Sequence, residues 1–338
     1  MKLPEHLKQK KKIILCFSIL VTGRCNANCS YCHYFAANPR DKIMTDISDE
    51  LFDCYCKLIK MAKNILPKNI EVQCRFSGGE PTILGDRLFD LADRVYKATG
   101  IRPYVLTNGA LLDDCFIEKA KVSKINHFYV SMENPLEVDS GSFDFYQIAA
   151  KVKKYNSEKL PIIPAVTIIA NDQFENLFKI AKIFYEEIGC LPTFNELSYG
   201  KFQPPTKRQL QDLRDNVIKV VKFFKDKTPI KIFPYVSPEL SYGTAEHYIA
   251  EVDFLNKYQV DANNIDEKLF QILNRLDIDY PKYDCRITDC DWYGSCSNLK
   301  WVWTHGFDKL EIDNKLKSYC LLKKTLNQAF YDALATED

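Results

Sequence analysis

No sign of charge dominates this chain: 46 Lys and Arg stand against 45 Asp and Glu, for a formal net charge of +1. A chain-wide field that gathers nucleic acid or anionic membrane is thereby excluded, and recognition must be local. No apolar run approaches the ~18 residues of a membrane span, so no membrane partner is expected. Low-complexity sequence is confined to the Lys-rich stretch 8–12, and no internal repeat exists beyond an alternation of short and long elements. What is present is 46% hydrophobic and 27% charged residues, the composition of a globular chain rather than a disordered one. A length of 338 residues makes one large α/β domain with an appendage, or two ordinary domains.

Lys8 to Lys12 followed by the apolar stretch Ile13 to Val21 imitates a signal peptide. A small-x-small cleavage site is missing, and Arg24 precedes Cys25 where a lipoprotein signal wants a small residue. The stretch reads as a solvated tail entering a buried strand. Thirteen cysteines cannot all pair within the chain. Their clustering at 25, 29, 32 and at 285, 290, 296, 320 points to metal ligation in a reducing cytoplasm, which is the expected location. Cys16, Cys54, Cys56, Cys74, Cys115 and Cys190 fall in or beside predicted elements and read mostly as small core residues.

From residue 13 to about 226, apolar runs alternate with amphipathic stretches, the pattern of a parallel sheet wrapped by helices. Strands are expected at 13–21, 71–77, 102–107, 126–132, 161–168 and 192–197. Helices are expected at 48–65, 86–99, 113–122, 143–156, 173–188 and 206–226, with Asn171 capping the fifth. In the second strand Val72, Cys74 and Phe76 alternate with Gln73, Arg75 and Ser77. In the fourth, Phe128, Val130 and Met132 alternate with His127, Tyr129, Ser131 and Glu133. One face meets helices; the other is polar enough to line a wet or ligand-filled interior, as in an incomplete barrel. Arg75, Tyr129 and Glu196 are placed there as residues lining a substrate space. Beyond 226 the expectation is a strand at 230–236, helix within 241–280, and a Cys-rich segment at 285–320 around a Trp301-Val-Trp303 hairpin. His127 and His305 read as hydrogen-bonded structural histidines.

Cys25-Asn-Ala-Asn-Cys29-Ser-Tyr-Cys32 follows directly after the first strand. Three thiolates from one loop bind three corners of an iron–sulfur cube and leave one iron open to a further ligand. Two other readings stay open on this motif alone. One is a zinc site completed by His33, which would struggle to close a tetrahedron beside its neighbour Cys32. The other is a redox pair at Cys29 and Cys32, which leaves Cys25 unexplained.

With Tyr31 before its last cysteine, the motif resembles the Cys-x3-Cys-x2-Cys signature of the radical S-adenosylmethionine (SAM) superfamily. Ser77-Gly78-Gly79-Glu80-Pro81 resembles that family's GGEP motif, Leu106-Thr107-Asn108-Gly109 its TNG motif, and Val130-Ser131 the strand whose Ser contacts the cofactor. The resemblance covers about residues 13–200. It implies a partial (β/α)6 TIM-like barrel over 13–226, followed over 227–338 by a small C-terminal α+β domain for an auxiliary cluster. It also implies a [4Fe-4S] cluster with an open iron on Cys25, Cys29 and Cys32. SAM would be contacted by Tyr31, Gly78, Gly79, Glu80, Thr107, Asn108 and Ser131. Glu80 would hold the methionine amino group, as an ammonium suits a carboxylate, and the glycines would let backbone approach the ligand. Ser131-Met132-Glu133-Asn134 departs from the family's usual Ser-hydrophobic-Asp-Gly, so Glu133 is either a ribose contact or a solvated strand end. The implied chemistry is reductive cleavage of SAM to a 5′-deoxyadenosyl radical that abstracts a substrate hydrogen; no residue is named as catalytic.

Cys285, Cys290, Cys296 and Cys320 surround the hairpin signal and resemble the auxiliary modules called SPASM or Twitch, which implies a second [4Fe-4S] cluster, with structural zinc as the rival. Residues 321–338 are too short a tail for a further Cys-rich block, which favours one auxiliary cluster. Such enzymes commonly crosslink, epimerise or oxidise peptides or proteins, and some oxidise or epimerise sugar-like or cyclitol metabolites. The short stretch before the first strand is expected to leave no room for a fused leader-binding winged helix, so a peptide substrate calls for a separate leader-binding protein or for a leader bound along the Lys tail or a strand edge. A flavodoxin- or ferredoxin-like electron donor is expected. The opposing class is a non-catalytic metal-cluster protein.

Overall fold

The computed structural model describes residues 12–32, 45–65, 70–137, 141–196, 204–231, 241–242, 246–253 and, near the C-terminus, 321–322, 324–326, 328–330 and 332–335. Its frame is a β/α alternation: β1 (Lys12–Thr22), α1 (Asp49–Ile65), β2 (Ile70–Gly78), α2 (Asp86–Thr99), β3 (Tyr104–Thr107), α3 (Asp114–Val122), β4 (Phe128–Ser131), α4 (Phe145–Tyr155), β5 (Ile162–Ile169), α5 (Leu177–Ile188), β6 (Thr193–Glu196) and α6 (Lys207–Phe224). Local chemistry starts the helices where the sequence places them. The side chains of Asp113 and Asp144 accept from the backbone N–H groups of Phe116 and Gln147. Thr206 and Gln209 close a reciprocal capping box at α6.

Six parallel strands lie in the order β6-β5-β4-β3-β2-β1, the connections carry helices, and the sheet is the partial TIM-like barrel expected. Strand alternation divides the interior into two zones. Phe17, Ile19, Val21, Cys74, Phe76, Val105, Phe128 and Val130 are buried in one cluster with helix residues such as Phe52, Leu58, Leu88, Leu91 and Ile148. Each such side chain contributes about 1.5–3 kcal/mol by leaving water. The opposite face carries a separate cluster in which Cys16 and Tyr104 are buried and Leu106 and Tyr129 partly so. Above it the hydroxyls of Ser18 and Ser77 lie 3.0 Å apart, and Arg75 Nε donates to Ser18 Oγ at 3.1 Å. This polar wall matches the expected inner face.

The chain beyond α6 departs from expectation. The predicted strand at 230–236 is represented by β7 (Ile230–Lys231), paired antiparallel with β8 (Ser241–Tyr242); residues 232–240 lie outside the described residues. Residues 246–253, expected to be helical, form β9 (Glu246–Asp253), which adds parallel to β1 as a seventh strand. The cause is tertiary: β1 has eleven residues and β2 occupies only one of its edges, so its other row of N–H and C=O groups recruits a strand. Because β9 runs parallel to β1, the chain leaves the sheet at the same end as the cysteine loop. Near the C-terminus Leu322, Leu326, Ala329, Phe330 and Ala333 join the main core, and Arg214 of α6 pairs with Asp332 at 2.8 Å. Pro281, the hairpin with Trp301 and Trp303, and His305 lie outside the described residues.

Three smaller expectations are corrected. A 3-10 turn over Asn171–Asn176 precedes α5, so Asn171 opens that turn and does not cap the helix. Cys115 is exposed on α3, whereas Cys16, Cys54, Cys56 and Cys74 are buried as expected. The His127 ring stacks on Tyr104, with centroids 4.9 Å apart and planes 7° from parallel, and meets Tyr129 edge-on at 4.6 Å. Its Nε2 is buried without a hydrogen-bond partner among the described residues, so ring contacts rather than hydrogen bonds hold it.

Burial pushes His127 down to about 4. The folded protein keeps the ring neutral while the unfolded chain protonates it near pH 6.5. The associated stability, on the order of 3 kcal/mol, is therefore full above about pH 6.5 and lost as pH falls toward 4. His127→Phe, which keeps the stack and removes the titration, is expected to flatten that part of the acid limb. Urea unfolding of both proteins between pH 4 and 7 checks it, and parallel pH profiles would contradict it.

Candidate active site

The C-terminal ends of β1 to β4 converge, and the loop carrying Cys25, Cys29 and Cys32 lies across them. Its base is held firmly. Asp46 Oδ1 accepts from Thr22 Oγ1 at 2.7 Å and from Arg24 Nε at 2.8 Å, and Asp46 Oδ2 accepts from Arg24 Nη2 at 2.8 Å. Burial opposes the Asp46 charge, but these bonds from Arg24 and Thr22 hold its carboxyl below the usual range. Arg24 and Asp46 carry no motif, and their part was not legible from sequence.

Gly78 and Gly79 allow a close backbone approach within the protein itself. A Cβ on Gly78, whose φ is 143°, would stand 2.1 Å from the carbonyl oxygen of Thr22, and one on Gly79 would stand 2.2 Å from that of Arg24. The space the missing side chains leave is taken by the protein's own backbone. Gly79 N donates to Thr22 O at 2.8 Å and Glu80 N to Arg24 O at 2.7 Å. The two glycines thus seat the end of β2 against the root of the cysteine loop.

Glu80 is 1% exposed, and its carboxylate links two motifs. Oε1 accepts from Thr82 N at 3.0 Å, Thr82 Oγ1 at 2.5 Å and Thr107 Oγ1 at 2.7 Å; Oε2 accepts from Asn108 N at 2.7 Å. Burial still pushes the carboxyl up from its ordinary value, with those four donors opposing. Thr82 was missed in the sequence, since nothing about a Thr after Pro81 marks it as a carboxylate donor. Asn108 Nδ2 in turn donates to Asn26 Oδ1 of the cysteine loop at 2.8 Å.

Ser131 is exposed at the end of β4, where a register shift against β5 re-aims the strand. Glu133 is 9% exposed, which overturns the solvated strand end. Its Oε1 accepts from the hydroxyls of Tyr31 and Ser142. Arg75 and Tyr129 lie on the inner wall below the loop, and Glu196 ends β6 at the register position of Ile169. Cys285, Cys290, Cys296, Cys320 and His33 lie outside the described residues.

Two observations test this rim against a metal cluster and a bound cofactor. The Cys25 thiol is pushed up first by burial and then by the nearby Glu80, Cys29 and Cys32, against one backbone bond from Ala27. The Cys29 and Cys32 sulfurs and the buried Glu80 carboxylate thus oppose ionisation of Cys25, and a cationic iron centre among them would remove that cost. Asn134, 4% exposed, spends its Oδ1 on Leu136 N, while its Nδ2 is buried without a partner among the described residues, a donor left over at the same rim. Among the described residues no three His, Cys, Asp or Glu side chains stand within reach of one metal ion.

Residues 19–169, which hold the cysteine loop, the glycine pair and the Glu80 network, match the Radical SAM superfamily. This part of the chain is a radical SAM domain, and the family implies a [4Fe-4S] cluster and SAM. A SAM-dependent nucleotide dehydratase of Pseudoalteromonas ulvae is 26% identical over 184 residues, 53% of this chain and 56% of that protein. A probable GTP 3′,8-cyclase of Methanothermobacter marburgensis is 33% identical over 108 residues, 31% of this chain and 30% of that one. The match thus spans about half of the first relative and under a third of the second. Among solved structures, anSMEcpe with bound AdoMet and Cp18Cys peptide superposes with a TM-score of 0.63 at 19% identity, covering 94% of this chain and 98% of that one. Streptococcus suis SuiB bound to S-adenosylmethionine gives 0.54 at 17% identity, with 86% and 75% covered. These likenesses concern the fold. Among the described residues no helix is long and apolar enough to cross a membrane.

Proposed function

We propose that this radical SAM protein reductively cleaves SAM and uses the product to modify a peptide or protein, by crosslinking, epimerisation or oxidation. The observation that carries the first half is the convergence of Cys25, Cys29 and Cys32 with the Glu80, Thr107 and Asn108 network at one end of the barrel. Cys25, Cys29 and Cys32 would hold the cluster, and Glu80 Oε2, with one donor from Asn108, would accept the methionine ammonium. When bound, the cluster and SAM would supply radical hydrogen-abstraction chemistry at the substrate. The wall formed by Arg75 and Tyr129, with Glu196 at the far strand, would orient the substrate and exclude water.

Support for a peptide is the fold shared with anSMEcpe over nearly its whole length, a protein whose structure holds a peptide. A second reading, a small metabolite, is favoured by two sequence relatives that are named for acting on nucleotides. Residues 227–338, within which β9 directs the chain toward the rim, would carry an auxiliary [4Fe-4S] cluster on Cys285, Cys290, Cys296 and Cys320. A flavodoxin- or ferredoxin-like donor would supply electrons, and a separate protein would present a leader. Two measurements test the proposal. Anaerobic reconstitution is expected to yield about eight irons per chain, falling to about four when Cys290, Cys296 and Cys320 are replaced together; about four irons with one zinc at the outset would remove the auxiliary cluster. Candidate peptides encoded near the gene, incubated with SAM and reductant, should show a mass change with 5′-deoxyadenosine formed in step. Turnover with nucleotides or sugars and none with peptides would replace the peptide reading.

A further inference from the structure

The cysteine loop is tied down at three points, each at a residue lying between its cysteines. Asn26 Oδ1 accepts from Asn108 at the end of β3, Asn28 N donates to Gly141 O at 2.6 Å, and the Tyr31 hydroxyl donates to Glu133. The last two ties reach the exit of β4, where Ser142 donates to the same Glu133 oxygen. One nearly buried carboxylate oxygen thus gathers hydroxyls from two separate loops.

We propose that Glu133 is a positioning residue for the cysteine loop, a latch that fixes Tyr31 to β4 and thereby sets the direction of Cys29 and Cys32 on either side of it. This replaces the ribose contact implied by the family resemblance, and it rests on the reading that these cysteines hold a cluster. The physical grounds are three. A hydroxyl donating to an ionised carboxylate makes a bond roughly twice as strong as a neutral one, and this carboxylate is shielded from competing water. Tyr31 is flanked by Ser30 and Cys32, whose N–H donates to Cys29 O at 3.2 Å, so a fixed Tyr31 constrains a tight turn containing two thiols. A loop already ordered before its ligands arrive avoids the entropic cost of ordering when they bind. Ser142 keeps the acceptor oriented, and the neighbouring bond from Asn28 to Gly141 keeps the two loops in step.

The test uses the full chain, anaerobically reconstituted, with Tyr31→Phe, Glu133→Ala, their double variant and Glu133→Gln. Iron per chain is expected to match the parent in all four. Tyr31→Phe and Glu133→Ala should each weaken SAM binding, measured without reductant, by about tenfold, and the double variant should lose no more than the worse single, since both remove one bond. Glu133→Gln keeps an acceptor oxygen and should retain most of the affinity. The same cycle in the cofactor-free chain, followed by urea unfolding, should show coupling between the two sites. Multiplicative losses in SAM affinity, or independent effects in the cofactor-free chain, overturn the latch. A parent protein that takes up no iron would defeat the cluster reading instead, and the cofactor-free cycle would then decide the latch by itself.

Discussion

Alanine at Cys25, Cys29 or Cys32 is expected to abolish 5′-deoxyadenosine formation in the presence of SAM and reductant, to the level of a protein-free control. Each cysteine supplies one of three thiolates, and a cube held by two cannot keep its open iron at the rim beside Glu80. The variants should fold, because all three side chains are only partly buried and none fills the main core. Iron content should fall by about four per chain, leaving the auxiliary complement. Chromatography of the reaction products with an iron assay on the same samples checks both. Undiminished cleavage in all three variants would remove this loop from the chemistry.

Glu80→Gln should produce the second large effect, in two separable parts. The carboxylate receives two backbone N–H groups on different oxygens, Thr82 N on Oε1 and Asn108 N on Oε2. A Gln amide offers one acceptor oxygen, so whichever way it turns, one backbone N–H faces an NH2 group. The Thr82 and Thr107 hydroxyls can rotate to accept, but a backbone donor cannot. The stranded N–H costs about 1–3 kcal/mol in the cofactor-free chain, readable in urea unfolding. Loss of the charged acceptor should also weaken SAM binding about tenfold or more, the factor for about 1.4 kcal/mol, with iron content intact. A variant destabilised to that degree with unchanged SAM affinity would leave Glu80 as a brace between β2 and β3 and nothing more.

The six strands, their helices and the barrel face they share were legible because each carries its own period. Phe17, Cys74 and Phe128 alternate with Ser18, Arg75 and Tyr129, and Asp113, Asp144 and Thr206 mark helix starts through bonds made within a few residues. The strand at Glu246–Asp253 was not legible, since it exists only where β1 has a free edge to offer. What packs against Gly78 and Gly79 was not legible for a related reason. Their sequence announces a close backbone approach without saying what approaches, and the occupant is Thr22 and Arg24.

Spacing by itself determined the three-thiol loop, its place after the first strand, and the order of the Glu80, Thr107 and Ser131 segments, because ligand number and strand order are properties of the chain. Only the tertiary structure decided how those segments meet. It placed Glu80 on Thr107 and Asn108, Asp46 on Arg24, and Glu133 on Tyr31 and Ser142. Such bonds join residues as many as 102 positions apart. Their partners are chosen by which strand ends the parallel sheet brings side by side and by which buried charges need donors there, and neither leaves a local pattern in the sequence.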